Sequence, residues 1–259
     1  LSNTYSSVEF AFVGTLAEVT LTSDCKDSKA RVGIFVNGQR TVDTMLTDKT
    51  TTLKVFESDV PEKCIVSIVK LSEQSHSYVG VKNIHAVTEY GIIPTPERER
   101  KIEFIGDSIT CGYGVLAEQS VTVYNTYEQD STKAYAYLTA SAFDAEMRSE
   151  CISGQGIICN CDGKVDYEIP KFFMHSSRTK EKHDHSTWVP DVVVINAGTN
   201  DVGGGIADGI ITEGAINFIL SVRNQYPSAK IVWFYGMMMY GYVDAIKKAV
   251  ETVNLTDKD

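Results

Sequence analysis

The sequence has 259 residues, 43% of them hydrophobic and 22% charged, with a formal net charge of −10 at pH 7. These values are typical of a globular protein with one large or two modest domains, and they exclude a disordered chain. The acidic charge argues against nucleic acid as a partner, because phosphate contacts need clustered Lys and Arg. No apolar run approaches the roughly 20 residues of a membrane span, so no membrane is expected as a partner either.

The chain begins at Leu1 without an initiator Met or a basic leader followed by an apolar run, as expected of a mature form or a piece of a longer protein. Its six cysteines follow neither the spacing of a zinc site nor that of a dense disulfide scaffold. We therefore expect no metal. A disulfide between Cys25 and Cys64 is the pairing to test, and buried free thiols are the alternative.

The first half of the chain alternates apolar and polar residues, a pattern typical of strands with one buried face. The predicted strands are VEFAFVGTLAEVTLT, RVGIFVNGQRT, TTLKVF, CIVSIVKLS and SYVGVKNIHAV. The pair Asn37-Gly38 between two of them predicts a tight hairpin. Residues 1–90 are therefore predicted to form an all-β domain, a sandwich of the jelly-roll type.

A different pattern follows residues 91–100, whose sequence GIIPTPERER predicts a linker. In residues 101–259 the runs KIEFIG, DVVVINAG and KIVWFYG do not alternate, as expected of strands buried on both faces of a parallel sheet. Helical patterns cover 131–145, 211–225 and 242–254, and EMRSECIS at 146–153 predicts a further strand. Ser131 is a candidate N-cap for the first helix, and the second helix is predicted to open at Thr212 with an acidic first turn at Glu213. The order of elements predicts an open α/β sheet.

Three of the predicted strands end in glycine and polar residues. In open parallel sheets, ligands bind beyond the carboxyl ends of the strands, where the loops converge. The three ends are Gly106-Asp107-Ser108, Ser153-Gly154-Gln155-Gly156 and Asn196-Ala197-Gly198-Thr199-Asn200-Asp201. We expect them to meet at one edge of the sheet.

These residue types suit acyl transfer. A serine on a tight turn, here Ser108, attacks a carbonyl once a base takes its proton. The resulting oxyanion needs preorganised donors, which the N–H of Ser108, the N–H of Gly154 and the side-chain amide of Asn200 would supply. Each motif alone is common, but the combination at three strand ends indicates a catalytic site.

The stretches FIGDSITCGYG, ISGQGI and INAGTND resemble the first three sequence blocks of the SGNH (GDSL-type) hydrolases. With the preceding β domain, the chain resembles carbohydrate esterase family 2, which deacetylates xylan, glucomannan and similar polysaccharides. The resemblance implies a flavodoxin-like parallel sheet, Ser108 as nucleophile and an oxyanion hole completed by Gly154 and Asn200. Asp107 would then shape the turn without joining a catalytic triad, and no cofactor is implied.

The family's general base is a histidine in a fourth sequence block, and no such block follows Asn200 here. A serine without its base keeps only the catalysis due to the oxyanion hole and to binding. We therefore expect the α/β domain to be truncated at its C-terminus, with the last strand and the histidine loop beyond residue 259. His76 and His85 fall in the β domain, and His183 and His185 precede the strand DVVVI, which places them at the wrong edge of the sheet. His175 remains as a candidate base.

Two aromatic residues are candidates for stacking on sugar rings, Tyr113 and Trp188, although Trp188 would equally suit the protein core. The resulting hypothesis is a secreted serine esterase that deacetylates plant cell-wall polysaccharides as part of a larger multidomain enzyme. One alternative is a carbohydrate-binding protein that has lost its base, and another is an SGNH lipase or thioesterase.

Overall fold

The computed structural model describes residues 1–24, 27–73, 77–121, 123–175 and 181–257. The chain divides into two compact units, one comprising 1–97 and 112–134, the other 98–111 and 135–259. The segment 112–134 thus groups with the first unit, whereas the sequence pattern placed it in the second. The predicted domain limits at residues 90 and 100 remain predictions.

The first unit is built on one antiparallel sheet of five strands in the order β3-β2-β4-β1-β5. The strands are β1 (Ser7–Ser23), β2 (Arg31–Val36), β3 (Gln39–Met45), β4 (Thr50–Lys70) and β5 (Val79–Thr88). The register of β1 with β4 shifts twice, between Gly14 and Leu16 and between Ala17 and Glu18, and such irregularities bend a strand. The antiparallel β domain is confirmed, and its jelly-roll connectivity remains a prediction.

Alternation along these strands buries one face of the sheet as a hydrophobic core, which includes Phe12, Val19, Ile34, Val66 and Ile68. The hairpin between β2 and β3 is confirmed at Asn37-Gly38, where both residues have positive φ, 50° and 79°. This conformation favours Asn and Gly over residues with larger side chains. Cys64 is a buried free thiol within the core, and Cys25, its predicted disulfide partner, lies outside the described residues.

The second unit contains a parallel sheet of four strands in the order β7-β6-β8-β9. The strands are β6 (Arg100–Gly106), β7 (Ala145–Cys151), β8 (Val192–Asn196) and β9 (Lys230–Trp233). Its helices are α2 (Tyr135–Ala142), α3 (Ile169–Phe173), α4 (Asp208–Gln225), α5 (Val243–Val253) and the short α1 (Ser108–Cys111). Within the described ranges, no helix has both the length and the apolar character needed to cross a lipid bilayer.

The predicted α/β architecture is confirmed, with two differences at helix starts. The helix α4 begins at Asp208, before the predicted Thr212. Ser131 lies in a short 3₁₀ turn whose N-cap is Asp130, and the side chain of Asp130 accepts a hydrogen bond from the N–H of Thr132.

The strand β6 occupies the position that matters for a ligand site. Its neighbours are β7 on one side and β8 on the other, and Gly106 is in register with both Cys151 and Asn196. The carboxyl ends of the three strands are therefore level. Sheets of this kind bind ligands where the strand order reverses, which here is the carboxyl end of β6.

The core of the second unit contains a group of titratable side chains. Burial raises the pKa of Glu103 on β6 to about 7. Burial and the neighbouring Glu103 raise the pKa of Glu150 on β7 to about 8. His185 is hydrogen-bonded through Nδ1 to the hydroxyl of Tyr226 at 2.8 Å, and burial lowers its pKa to about 4. Burial also lowers the pKa of the adjacent His183.

These shifts predict that stability falls between pH 6.5 and pH 8. Unfolding lets Glu103 and Glu150 ionise at their ordinary pKa of about 4.3, so over this window the unfolded state binds fewer protons than the folded state. His183 and His185 have the opposite sign, and because an unfolded imidazole is still half protonated at about pH 6.5, they offset part of the fall in the lower half of the window. The free energy of unfolding should drop by roughly 1.5–2 kcal/mol across the window.

Urea denaturation at several pH values checks this prediction. The double variant Glu103→Gln/Glu150→Gln should lose most of the slope, whereas Glu213→Gln, at an exposed position on α4, should keep it. An unchanged slope in the double variant would show that other groups cause the pH dependence.

Candidate active site

Ser108 is the first residue of α1, directly after the turn that ends β6. Only glycine fits at position 106, because an added Cβ would lie 2.6 Å from the carbonyl oxygen of Asn196. The carboxylate of Asp107 is fully buried and accepts the N–H of Ile109 at 2.9 Å. The turn presents Ser108 half-buried, and its hydroxyl has no hydrogen-bond partner among the described residues.

Gly154 lies in the second loop, shortly after Cys151, the last residue of β7. Its φ of +83° favours glycine. Its carbonyl accepts the N–H of Cys161 at 2.8 Å, which fixes the orientation of the loop. In the part of the chain that the structure describes, the N–H of Gly154 donates to no protein group. It is therefore available to an incoming ligand atom.

Asn200 connects the other two loops. Its side-chain nitrogen donates to the carbonyl oxygen of Gln155 at 2.8 Å and to the Oδ2 of Asp107 at 3.2 Å. Gln155 follows Gly154, and Asp107 precedes Ser108, so one amide group bridges the loops of both. The structure thus brings the three predicted loops together at one edge, and the catalytic roles of Ser108, Gly154 and Asn200 remain predictions.

Asp201 has a role that its sequence motif does not indicate. Its fully buried carboxylate accepts three backbone N–H groups, those of Ile157 at 2.8 Å, Ile158 at 2.7 Å and Cys159 at 3.0 Å. Burial raises the pKa of Asp201, and the three N–H groups oppose that rise. Gly156 allows this contact, because a Cβ there would lie 2.6 Å from the Oδ2 of Asp201. The sequence shows that Asp201 follows Asn200, but it does not show that the N–H groups of residues 157–159 bind the Asp201 carboxylate.

None of the described histidines is placed to serve Ser108. His85 lies in the first unit, where Nδ1 is 3.4 Å from the Oε2 of Glu18. His183 and His185 precede β8 with their rings 4.5 Å apart, at the amino end of that strand. His175 follows α3, and its Nδ1 is bonded at 2.7 Å to a carbonyl of that helix.

The structure contradicts the prediction that His175 is the candidate base for Ser108. The N–H of His183 donates to the carbonyl of Met174 at 3.1 Å, so the end of α3 lies beside the segment that leads into the amino end of β8. Ser108 is at the opposite, carboxyl edge. His76 lies outside the described residues, and the described residues contain no group of three His, Cys, Asp or Glu arranged to hold a metal ion.

The structure separates the two aromatic candidates. Trp188 is 6% exposed, its Nε1 donates to the Oε1 of Glu146 at 2.8 Å, and the guanidinium of Arg148 lies 4.7 Å from its ring. Such a residue has no free face for a sugar, so the substrate-binding assignment of Trp188 is corrected to a core role. Tyr113 is 46% exposed and stacks on Tyr124 with ring centroids 4.0 Å apart, and its role remains a prediction.

We predict that Asp201→Asn destabilises the protein by roughly 2–3 kcal/mol, because a buried acceptor of three N–H groups loses charge and one acceptor oxygen. Urea denaturation gives the free energy of unfolding, and amide hydrogen exchange should show faster exchange at residues 157–159. Asp244→Asn, on the exposed first turn of α5, is the matched control and should change stability by less than about 1 kcal/mol. Equal effects of the two substitutions would contradict the anchoring role.

Comparison with known proteins gives two family matches. Residues 104–256 match the model of the GDSL-like lipase/acylhydrolase family, and residues 2–96 match that of the carbohydrate esterase 2 N-terminal domain.

Two curated relatives and one solved structure are similar over most of this chain. An acetylxylan esterase/glucomannan deacetylase of Cellvibrio japonicus is 26% identical over 92% of this chain and 67% of its own length. The cellulase/esterase CelE of Acetivibrio thermocellus is 32% identical over 91% of this chain but only 29% of its own length. A family two carbohydrate esterase from Clostridium thermocellum, solved in complex with cellohexaose, has a TM-score of 0.87 at 28% identity, over 98% of this chain and 80% of that chain.

These matches confirm the family resemblance that the three strand-end motifs predicted. The hydrolase match covers residues 104–256, which include 112–134 of the first unit, and the carbohydrate esterase match covers residues 2–96. The chain belongs to the GDSL-like lipase/acylhydrolase family, with a carbohydrate esterase 2 N-terminal domain preceding the hydrolase domain.

Proposed function

We propose that this protein is a serine esterase that removes acetyl groups from plant cell-wall polysaccharides such as xylan and glucomannan. The observation that carries the proposal is the meeting of Ser108, Gly154 and Asn200 at one sheet edge, where the Asn200 amide bridges the other two loops. The names of the relatives support the substrate class, and membership of the family supports ester hydrolysis. A polymeric wall substrate implies that the protein acts outside the cell.

In this mechanism the Oγ of Ser108 attacks the acetyl carbonyl carbon while a base takes the hydroxyl proton. The carbonyl oxygen becomes an oxyanion, which accepts hydrogen bonds from the N–H of Ser108, the N–H of Gly154 and the amide of Asn200. Collapse of this intermediate expels the sugar oxygen, which takes the proton. Water then releases acetate from Ser108 and restores the hydroxyl.

The hydrogen bonds of Asn200 show what the oxyanion must displace. Both amide hydrogens already have acceptors, Gln155 at 2.8 Å and Asp107 at 3.2 Å. The longer bond, to Asp107, is the weaker by geometry. The oxyanion would replace it, while the bond to Gln155 keeps the amide in position.

The substrate side of the proposal involves the first unit. Tyr113 is a candidate to stack on the apolar face of a sugar ring, and its exposed ring is held by Tyr124. The relatives are longer proteins, one of which this chain spans by only 29%. We propose that the chain, with its β domain and its α/β hydrolase domain, acts on acetylated polysaccharide as part of a multidomain wall-degrading enzyme.

A second function is favoured by the positions of the histidines. None of the four described histidines reaches the edge that carries Ser108, and ester cleavage needs a proton acceptor there. A protein with the oxyanion donors and the sugar surface but no base would bind the polysaccharide without cleaving it. Binding and turnover must therefore be measured separately.

We predict that acetate release from acetylated xylan depends on Ser108. If a base serves Ser108, Ser108→Ala should reduce the rate by at least about 10³-fold, whereas Ser141→Ala, at an exposed position on α2, should not change it. Added imidazole should increase the Ser108-dependent rate if the base is missing, with Ser108→Ala as the blank for uncatalysed cleavage.

Calorimetric titration with xylo-oligosaccharides separates the two functions. Binding with no serine-dependent acetate release, even with imidazole, would support the binding protein. Loss of both binding and turnover would reject both functions.

A further inference from the structure

Two cysteines meet directly beside the turn that carries Ser108. The Sγ atoms of Cys111 and Cys151 lie 2.7 Å apart, closer than the about 3.5–4.0 Å of ordinary non-bonded contact between carbon atoms. Both side chains are buried, with exposures of 0% and 5%. The two sulfurs therefore face each other in a closed space.

The backbone explains why they meet. Cys151 is the last residue of β7 and pairs in register with Gly106, the last residue of β6. The chain then turns through Asp107 into α1, and the N–H of Cys111 donates to the carbonyl of Asp107 at 3.0 Å. Adjacent strands are about 4.7–4.9 Å apart, and Cys111 lies one helical turn beyond Asp107, so its side chain meets that of the strand-end residue Cys151.

The other described cysteines of this unit lie elsewhere. The Sγ of Cys159 packs against Gly204, where an added Cβ would be 2.4 Å from it. Cys161 is exposed, and its Sγ lies beside Gly154. Among the described residues, Cys111 and Cys151 are thus the pair whose sulfurs are in contact.

We propose that Cys111 and Cys151 are oxidised to a disulfide. This bond would join α1, the helix that begins at Ser108, to β7, the strand that precedes the loop of Gly154. The oxidant is a disulfide, RSSR, of the glutathione or disulfide-oxidoreductase class. One protein thiolate attacks RSSR and releases RSH, and the second thiolate attacks the mixed disulfide and releases another RSH. The two protein thiols lose two protons and two electrons, and RSSR becomes two thiols.

The crosslink would hold α1, which has four residues and is too short to be stable without tertiary contacts. A bond at its last residue fixes α1 to β7, and therefore fixes Ser108 relative to the loop of Gly154. The joined residues are 40 apart in sequence, a span over which a crosslink restricts the unfolded chain substantially.

Peptide mapping of the purified full chain tests the proposal. The protein is equilibrated with a glutathione buffer rich in the oxidised form, alkylated in denaturant without reductant, and digested for mass spectrometry. We expect a linked peptide pair containing Cys111 and Cys151, with a mass two hydrogens below the sum of the two peptides. Dithiothreitol should abolish that pair and lower the Tm by roughly 5–10 °C.

Variants separate a disulfide from two packed thiols. For a disulfide, Cys111→Ala and Cys151→Ala should each remove the effect of dithiothreitol on Tm, and the double variant should add little to either. Cys161→Ser, the matched control, should keep the linked peptide and the dithiothreitol effect. The proposal is overturned if both cysteines are alkylated in the oxidising buffer or if the linked pair involves a different cysteine, and the peptide map decides this even if a variant fails to fold.

Discussion

The arrangement of the site depends on the two adjacent polar side chains of the loop after β8, Asn200 and Asp201. The loops at a sheet edge have no ladder to satisfy their backbone groups, so their conformation requires other partners. Asp201 supplies acceptors for three consecutive N–H groups of the loop after β7, and Asn200 joins that loop to Asp107. The loop after β8 thereby determines the conformation of the loop after β7 and its distance from the loop after β6.

The α/β unit accommodates its buried carboxyl groups in two different ways. Asp201 receives three backbone N–H bonds, which stabilise a carboxylate and oppose the effect of burial on its pKa. Glu103 lacks a comparable set of donors, and one of its carboxyl oxygens has no hydrogen-bond partner in the described structure. Its pKa is accordingly raised to about 7. The carboxyl group with three backbone donors thus lies at the sheet edge that carries Ser108, and the carboxyl groups with the more strongly raised pKa lie in the core, as the cost of burying an unpaired charge requires.

The features predictable from the sequence were those encoded by neighbouring residues. Unalternated apolar runs predicted β6, β8 and β9, and Asn37-Gly38 predicted a hairpin, because each pattern is local. The sequence predicts two strands where the structure has one, β4, because the charged residues at its centre, ESDVPEK, interrupt the apolar pattern. The pairing of β4 with β1 is also irregular there, where its register jumps from Glu57 to Glu62. Trp188 and Asp201 could not be assigned, because their roles depend on Arg148, Glu146 and N–H groups distant in the sequence.

The donors and the proton acceptor of this site have separate physical origins. The amide of Asn200 is positioned by Gln155 and Asp107, and the loop of Gly154 is positioned through Asp201, so neither needs a histidine to hold it. Affinity for a carbonyl oxygen and the capacity to move a proton are therefore independent properties of this fold. The hydrogen bonds that hold the Asn200 amide and the loop of Gly154 would therefore stay intact in a chain without a proton acceptor beside Ser108.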